Sequence, residues 1–280
     1  MTDSIIIMAA GLSSRMKKSQ YNKKLSWEQE MSANYKSKVL IEFGIESRPF
    51  ISYSISNIIN SGFKNIYIVT SEESSLFRNK FKDILKIDLK KCNIFFSIQY
   101  KDKNRTKPLG TADAIYQTME QFPVLKLQSF CVCNGDNLYS KESLTEIKSN
   151  LFKNAFIAYD RVGLKFNKKR ISSFSIVEMD KKNFLVDIIE KPGAILINKF
   201  LDTFGKITVS MNLFKFDGTV SYPFFKDCPI NNTRNEKEIA DVLKNMILEK
   251  NVKILGIPRN ENVIDLTSKK DIILVQKYLS

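Results

Sequence analysis

The sequence predicts an α/β fold: a three-layer sandwich in which helices cover both faces of a mixed, mostly parallel sheet. Three observations carry this expectation. The β-branched run Ser4-Ile5-Ile6-Ile7-Met8-Ala9 shows no polar alternation and stops at a glycine, the pattern of a strand buried on both faces. Helical and extended patterns then alternate as far as Cys133, which builds parallel strands joined by helical crossovers. Beyond Asp160 a hairpin pattern interrupts the alternation, so the second half mixes strand directions.

From Pro49 to Ser61, Phe50, Ile51, Ile55, Ile58 and Ile59 recur at helical spacing, Gly62 stops the helix, and Ile66-Tyr67-Ile68-Val69 follows as a buried strand. A helix within Ser75 to Ile87, a strand Ile94 to Tyr100, a helix Thr111 to Gln121 and a strand Phe130 to Cys133 continue the order. Ligands are expected at the carboxyl ends of such strands. Ser173 to Met179 and Phe184 to Glu190 flank Asp180-Lys181-Lys182-Asn183 as a hairpin, and Ile207 to Phe216 reads as another strand. Asn235, with Glu238 three residues on, has the form of a capping box for a helix from Glu236 to Lys250. A strand Val252 to Ile257 and a helix from Lys269, capped by Ser268, complete the pattern. The lysine-rich stretch Lys17 to Ser37 is weakly periodic and is expected to be a mobile surface loop. With no long linker and no repeat, one domain over residues 1–280 is expected.

The chain carries 44 Lys plus Arg against 30 Asp plus Glu, a formal charge of +14, and no histidine. Without imidazole there is no Ser-His-Asp or Cys-His nucleophile, no histidine phosphocarrier and no zinc site built on His. Chemistry must run on carboxylates, lysines, arginines, backbone amides or a hard metal ion. Acids are interspersed among the lysines, and no arginine-rich or aromatic-interleaved block occurs. The excess charge therefore reads as a solvated surface with a bias toward small polyanions, and no nucleic acid is expected as partner. Cys92, Cys131, Cys133 and Cys228 lack metal-like spacing and read as reduced core residues. No stretch approaches the roughly 20 apolar residues that span a bilayer. The first ten residues carry neither a basic region nor a cleavage-like site, so no membrane partner and a cytoplasmic location are expected.

Directly after the first strand stands Ala9-Ala10-Gly11-Leu12-Ser13-Ser14-Arg15-Met16. Small residues around a glycine let backbone N–H groups converge as an anion site, and Arg15 adds a planar guanidinium suited to phosphate oxygens. The run has neither the Gly-Lys-Ser/Thr of a Walker A loop nor the three glycines of a dinucleotide fingerprint. A tight strand-to-loop turn with an incidental arginine is the competing reading. The residues alone lead to a phosphate-binding α/β protein.

This run resembles the opening motif of the sugar-1-phosphate nucleotidyltransferases, and four further segments are similar to that family's motifs in the same order. They are Arg105-Thr106-Lys107-Pro108-Leu109-Gly110-Thr111-Ala112-Asp113-Ala114 with Gln99 upstream, Cys133-Asn134-Gly135-Asp136-Asn137, Ile189-Glu190-Lys191-Pro192, and Ile264-Asp265-Leu266-Thr267-Ser268. The resemblance spans residues 5 to 279. It implies the Rossmann-like, GT-A-like fold of nucleotide-diphospho-sugar transferases, with residues 1–160 as the nucleotide-binding half and 161–280 as the sugar-phosphate-binding half. It also implies an enzyme that takes a nucleoside triphosphate and a sugar 1-phosphate, with Mg²⁺ as cofactor, and it leaves a homo-oligomer open. Because the attacking phosphate is already an anion, such chemistry needs no histidine.

Carried over position by position, the resemblance makes Arg15, Lys38, Asp136 and Lys191 catalytic. Ala9, Ala10, Gly11, Leu12, Ser13, Ser14, Gln99, Gly110 and Thr111 would bind the nucleotide, and Asn137, Glu190, Lys191 and Asn212 the sugar phosphate. Asp136 and Asp265 would hold the metal. Gly110 would let the nucleoside approach closely, and Thr111 would cap the next helix and aim its amino end at the ligand. Gln99 and the amides near Gly110 fit a pyrimidine, which favours UTP, then CTP or dTTP. A catalytically silent nucleotide sensor of the same fold, and a cytidylyltransferase acting on phosphocholine or a similar phosphate, are rival readings; a glycosyltransferase of related fold is a third, although the Asp-x-Asp run that typically holds the metal of such enzymes is absent at residues 133–137.

Three departures from the family pattern matter. Ser13 stands where glycine is common, which implies a wider loop or an added hydroxyl contact. Lys38 follows Ser37 rather than proline and is separated from Arg15 by the 22 residues Met16 to Ser37, so Lys23 and Lys24 are alternatives to it. The late motif has no glycine or proline. Since Lys17 to Ser37 joins two groups assigned to the same phosphates, it is expected to close over them as a lid.

Overall fold

Ile5 and Ile7 enter one buried apolar cluster and Ile6 another, so strand β1 (Ser4–Met8) lies between two layers as its unbroken apolar run requires. The structure, a computed structural model, describes residues 2–166, 170 and 174–279. β1 pairs in parallel with β4 (Asn65–Ser71) on one side and β6 (Ser129–Asn134) on the other, and β4 pairs in parallel with β5 (Asn93–Gln99). Cys131 and Cys133 join the first cluster while Phe130 and Val132 join the second, repeating the alternation of β1. Burial lifts the thiol of Cys131 to about 12, so it is inert.

The second half is organised around β11 (Thr208–Asp217). It runs antiparallel to β6, to β8 (Ala155–Asp160) and, near its start, to β9 (Ser175–Met179). β9 pairs with β10 (Leu185–Ile189), and β8 pairs in parallel with β12 (Leu255–Arg259). Among the described residues the sheet has nine strands in the order β10-β9-β11-β6-β1-β4-β5, with β8 and β12 branching from β11. Helix α3 (Phe50–Asn60) and α7 (Lys141–Ser149) pack on one face through Ile51, Ile55, Leu144 and Ile147. Helices α6 (Thr111–Gln121) and α10 (Ile239–Lys250) pack on the other through Ile115, Met119, Leu243 and Met246. The expected mixed three-layer sandwich is the observed one.

A third cluster was not foreseen. Met16, Leu25, Ala33, Phe43, Leu138, Leu266, Ile272 and Val275 gather beside the sheet, among them Ala33 of α2 (Trp27–Tyr35), Phe43 of β2 (Glu42–Phe43), which pairs with β3 (Arg48–Pro49), and Ile272 and Val275 of α11 (Lys269–Leu279). The stretch Lys17 to Ser37 is thus no plain surface loop. Ser26 and Gln29 form a reciprocal capping box at the start of α2, and Glu30 reaches the buried ammonium of Lys269 at 2.8 Å. The pattern is hard to read because α2 buries Glu30 and Ala33 while Trp27 and Tyr35 are 72% and 75% exposed, the inverse of an ordinary amphipathic helix.

Other boundaries shift for local reasons. Asn235 does not cap a helix: it has φ +54°, its Oδ1 accepts from Arg105 Nη1 at 3.1 Å, and α10 begins at Ile239. Residues 236–238 run instead against the start of α6, with Lys237 N donating to Leu109 O and Ala112 N to Lys237 O. The helix expected within Ser75 to Ile87 breaks at Lys80 into α4 (Ser75–Asn79) and α5 (Phe81–Leu85), and the strand expected from Val252 starts at Leu255. Ser173, the expected start of the hairpin, lies outside the described residues. Cys92 is only half-buried, unlike the other three cysteines. Among the described residues no helix is long and apolar enough to cross a membrane.

Candidate functional site

The loop after β1 is held from both neighbouring strands: Ala9 N donates to Val69 O and Gly135 N to Met8 O, each at 3.0 Å. Ser13 sits at φ +55°, a left-handed conformation that glycine adopts without strain. The serine adds something in exchange, since its Oγ accepts from Lys38 N at 2.9 Å. Across 25 positions of chain, that contact ties the turn bearing Lys38 to the loop bearing Arg15. The Lys38 ammonium reaches the Asp136 carboxylate at the end of β6, and both side chains are 15% exposed.

Asp265 arrives from the far end of the chain. Strand β13 (Ile264–Asp265) pairs antiparallel with β7 (Asn137–Leu138), which sets Asp265 opposite Asn137, and Leu266 N donates to Asp136 O. Burial raises the pKa of Asp265, the Asp136 carboxylate raises it further, and Arg170 and Lys38 oppose the shift. Arg170 Nη2 lies 2.6 Å from Asp265 Oδ2, Thr267 Oγ1 donates to Oδ1 at 2.9 Å, and Arg170 also pairs with Asp271. Among the described residues no group of three or more His, Cys, Asp or Glu forms a metal cluster. Two crowded carboxylates nevertheless suit a hard cation that completes its shell with phosphate and water oxygens, because such an ion relieves their repulsion.

On the β5 side, buried Gln99 donates Nε2 to Gly110 O at 2.9 Å and to Asp113 Oδ2 at 3.0 Å. Both partners only accept, which fixes the orientation of the amide and leaves Oε1 as its acceptor. Gly110, not Thr111, is the N-cap residue of α6; at φ +116° a Cβ there would stand 2.4 Å from Lys237 O. The glycine is therefore required by the 236–238 segment, and Thr111 Oγ1 is turned to that segment too, accepting from Ile239 N and donating to Glu238.

Opposite these, Glu190 accepts from Ser175 Oγ at 2.6 Å, and Lys191 follows it at φ +46°. Desolvation in the cleft lowers the Lys191 pKa, with the Arg234 and Arg15 charges adding to the effect. Arg234 lies 2.8 Å from Glu238, 3.5 Å from Glu236 and 3.6 Å from Glu190. Burial drives Glu238 up to about 7 against the pull of Arg234, with the Glu190 and Glu236 carboxylates reinforcing it. Asn212, at φ +60°, occupies the irregular stretch of β11 between Ser210 and Phe214.

These walls enclose a cleft of ≈ 420 Å³ and an adjoining hollow of ≈ 100 Å³ at the carboxyl ends of β1, β5 and β6. Every residue singled out from the motifs lines one or the other; Asn137 and Asp265 reach only the hollow. Asn137 is buried, with Oδ1 accepting from Asn134 Nδ2, so it shapes the turn while Asn134 faces both cavities. Lys23 and Lys24 are solvent-exposed, and of the segment 17–37 only Ser37, beside Lys38, lines the cleft; residues 17–36 line neither cavity, so the body of the segment does not cover the cleft. The sequence reading missed Arg170, Arg234 and Glu238 as parts of the site. None belongs to one of the five motifs, and Glu238 was read as the partner of Asn235 in a capping box.

A family model described as nucleotidyl transferase matches residues 32–268. Among solved structures, a UDP-glucose pyrophosphorylase complexed with UDP-glucose is similar in fold, with a TM-score of 0.72 at 14% sequence identity, covering 99% of this chain and 98% of that one.

Proposed function

The chain belongs to the nucleotidyl transferase family, and from that premise we propose that it joins a nucleoside triphosphate, UTP first, to a sugar 1-phosphate, giving a nucleotide sugar and pyrophosphate. One observation carries the reading: a single cleft has the glycine loop, Arg15, Lys38 and Asp136 on one wall and Glu190, Lys191 and Arg234 on the other. Two anionic substrates can meet there between cations.

The loop amides and Arg15 hold the β and γ phosphates, and Lys38 meets the α-phosphate. Lys191 and Arg234 hold the acceptor phosphate, an anion that relieves the repulsion between them. An acceptor oxygen bonds to the α-phosphorus while the bond to the β-phosphate oxygen breaks, and pyrophosphate leaves with that electron pair. Asp136 and Asp265 would hold Mg²⁺, which supplies positive charge to the phosphate oxygens at the reacting centre when bound. Catalysis is then positioning and charge neutralisation.

Two features refine the substrates. Gln99 Oε1 is an acceptor, which suits the N3–H of uracil or thymine and meets an acceptor at N3 of cytosine. Among the described residues, those lining the cleft include no aromatic ring and those lining the hollow include Phe174 as the one aromatic, whereas a quaternary ammonium is held by aromatic faces. Sugar hydroxyls suit Glu190 and Asn212 better than choline does. The test is pyrophosphate release from UTP, CTP, dTTP and ATP with Mg²⁺ across a panel of sugar 1-phosphates and phosphocholine. Release with UTP and a sugar 1-phosphate is expected. Release confined to CTP with phosphocholine, or nucleotide binding without any release, would replace this reading by one of its rivals.

A further inference from the structure

The proposed function makes Lys38 a phosphate ligand and Asp136 a metal ligand, yet the structure bonds them to each other. Each of the two crowded carboxylates already carries a protein cation, Lys38 on Asp136 and Arg170 on Asp265. The two cations are held differently. Arg170 is shared with Asp271, whose Oδ2 also accepts from Thr267 N at 3.0 Å and from Ser268 Oγ at 3.0 Å, so the guanidinium is built into the start of α11. Lys38 is anchored at its backbone by Ser13 of the anion loop and lines the same cleft as that loop, and its flexible four-carbon stem lets the ammonium turn from Asp136 toward the cleft.

Resting on that functional reading, we propose that Lys38 is an exchangeable counter-cation: it neutralises Asp136 in the ligand-free protein and keeps a divalent cation off the site until a triphosphate draws it away. With Lys38 in place, the charges of Asp136, Asp265 and Asp271 face Lys38 and Arg170 and leave a net single negative charge, a weak site for a doubly charged ion. Once the ammonium turns to the phosphates, Asp136 is released to the cation and the local charge becomes −2. Triphosphate and cation then bind with positive coupling through one side chain, and linkage makes the coupling reciprocal.

The probe is Mn²⁺ alone, titrated by calorimetry and by electron paramagnetic resonance into nucleotide-free protein. Lys38→Met should bind Mn²⁺ on the order of tenfold more tightly than wild type, a coupling of ordinary size for linked sites. Lys38→Arg, which keeps a cation beside Asp136, should stay near wild type. In the reciprocal arm, Asp136→Asn should bind metal-free UTP in EDTA several-fold more tightly, since Lys38 no longer has a partner to leave. Unchanged or weaker Mn²⁺ binding by Lys38→Met overturns the proposal, and if that variant does not fold, unchanged or weaker UTP binding by Asp136→Asn does so. Wild-type pyrophosphate release tests the functional reading separately, because the nucleotide-free titration needs no turnover.

Discussion

The Glu30–Lys269 pair should be the point at which the segment 17–37 is most easily detached. The two groups lie 2.8 Å apart with side chains 9% and 4% exposed, and Glu30 Oε2 is buried with no hydrogen-bond partner among the described residues. Removing one partner leaves an uncompensated buried charge, which costs about 3–5 kcal/mol. For a chain of 280 residues the unfolding entropy is about 0.6 kcal/mol/K, so Glu30→Gln or Lys269→Met should lower Tm by about 5–8 °C. If docking of α2 is worth less than that, the loss is capped and appears as faster amide exchange over residues 26–36. Replacing both, as Glu30→Leu with Lys269→Met, should recover most of the loss, because an imperfectly satisfied buried pair is readily matched by apolar packing. The assay is urea unfolding of both single variants and the double variant, read as a double-mutant cycle alongside hydrogen exchange. Single losses under about 1 kcal/mol with unchanged exchange, or a double loss equal to the sum of the singles, would refute the reasoning.

Arg15→Ala should weaken triphosphate binding more than sugar 1-phosphate binding in separate calorimetric titrations; equal weakening would mean that the opening loop has been oriented wrongly. Glu238 has its folded pKa raised to about 7 from an ordinary 4.5, so its contribution to stability is full below pH 4.5 and is lost as pH rises through 7. Against Glu238→Gln, which does not titrate, wild type should therefore lose stability across that window in urea unfolding, and a pH-independent gap would contradict the burial argument. Gly110→Ala should destabilise by at least about 1–3 kcal/mol, because alanine is strained at φ +116° and its Cβ meets Lys237 O. A loss below about 0.5 kcal/mol would mean that the 236–238 segment yields freely.

Legibility followed the range of the interactions. Strands β1 and β6 were readable because burial on both faces is written into consecutive residues, Ile5 to Ile7 and Phe130 to Cys133. Helix α2 was not, because the side it buries is Glu30 and Ala33 and its partner Lys269 lies 239 positions away. The same is true of the false cap at Asn235. Asn followed three residues later by Glu satisfies a local rule, but residues 236–238 are held extended by Leu109 and Ala112, and that competing interaction is invisible in the segment itself.

The site divides along the same line. Gly11 to Arg15, Gly110, Asp136 and Lys191 stand in short motifs because each depends on backbone shape within a few residues: positive φ at Ser13, Gly110 and Lys191, and a turn at the end of β6. Arg170 and Arg234 work through charge delivered across the fold, to Asp265 and Asp271 in one case and to Glu190, Glu236 and Glu238 in the other. A long flexible cation needs no particular neighbours in sequence to arrive there. Lys38 falls between the two classes. Its spacing from Arg15 is foreign to the family pattern, yet the serine that replaces glycine at position 13 accepts from the Lys38 backbone, so two departures that look independent in the sequence meet at one hydrogen bond of 2.9 Å. The long excursion before Lys38 and the hydroxyl at position 13 act on one contact: Ser13 Oγ accepts from the Lys38 backbone, a bond that a glycine at that position could not make.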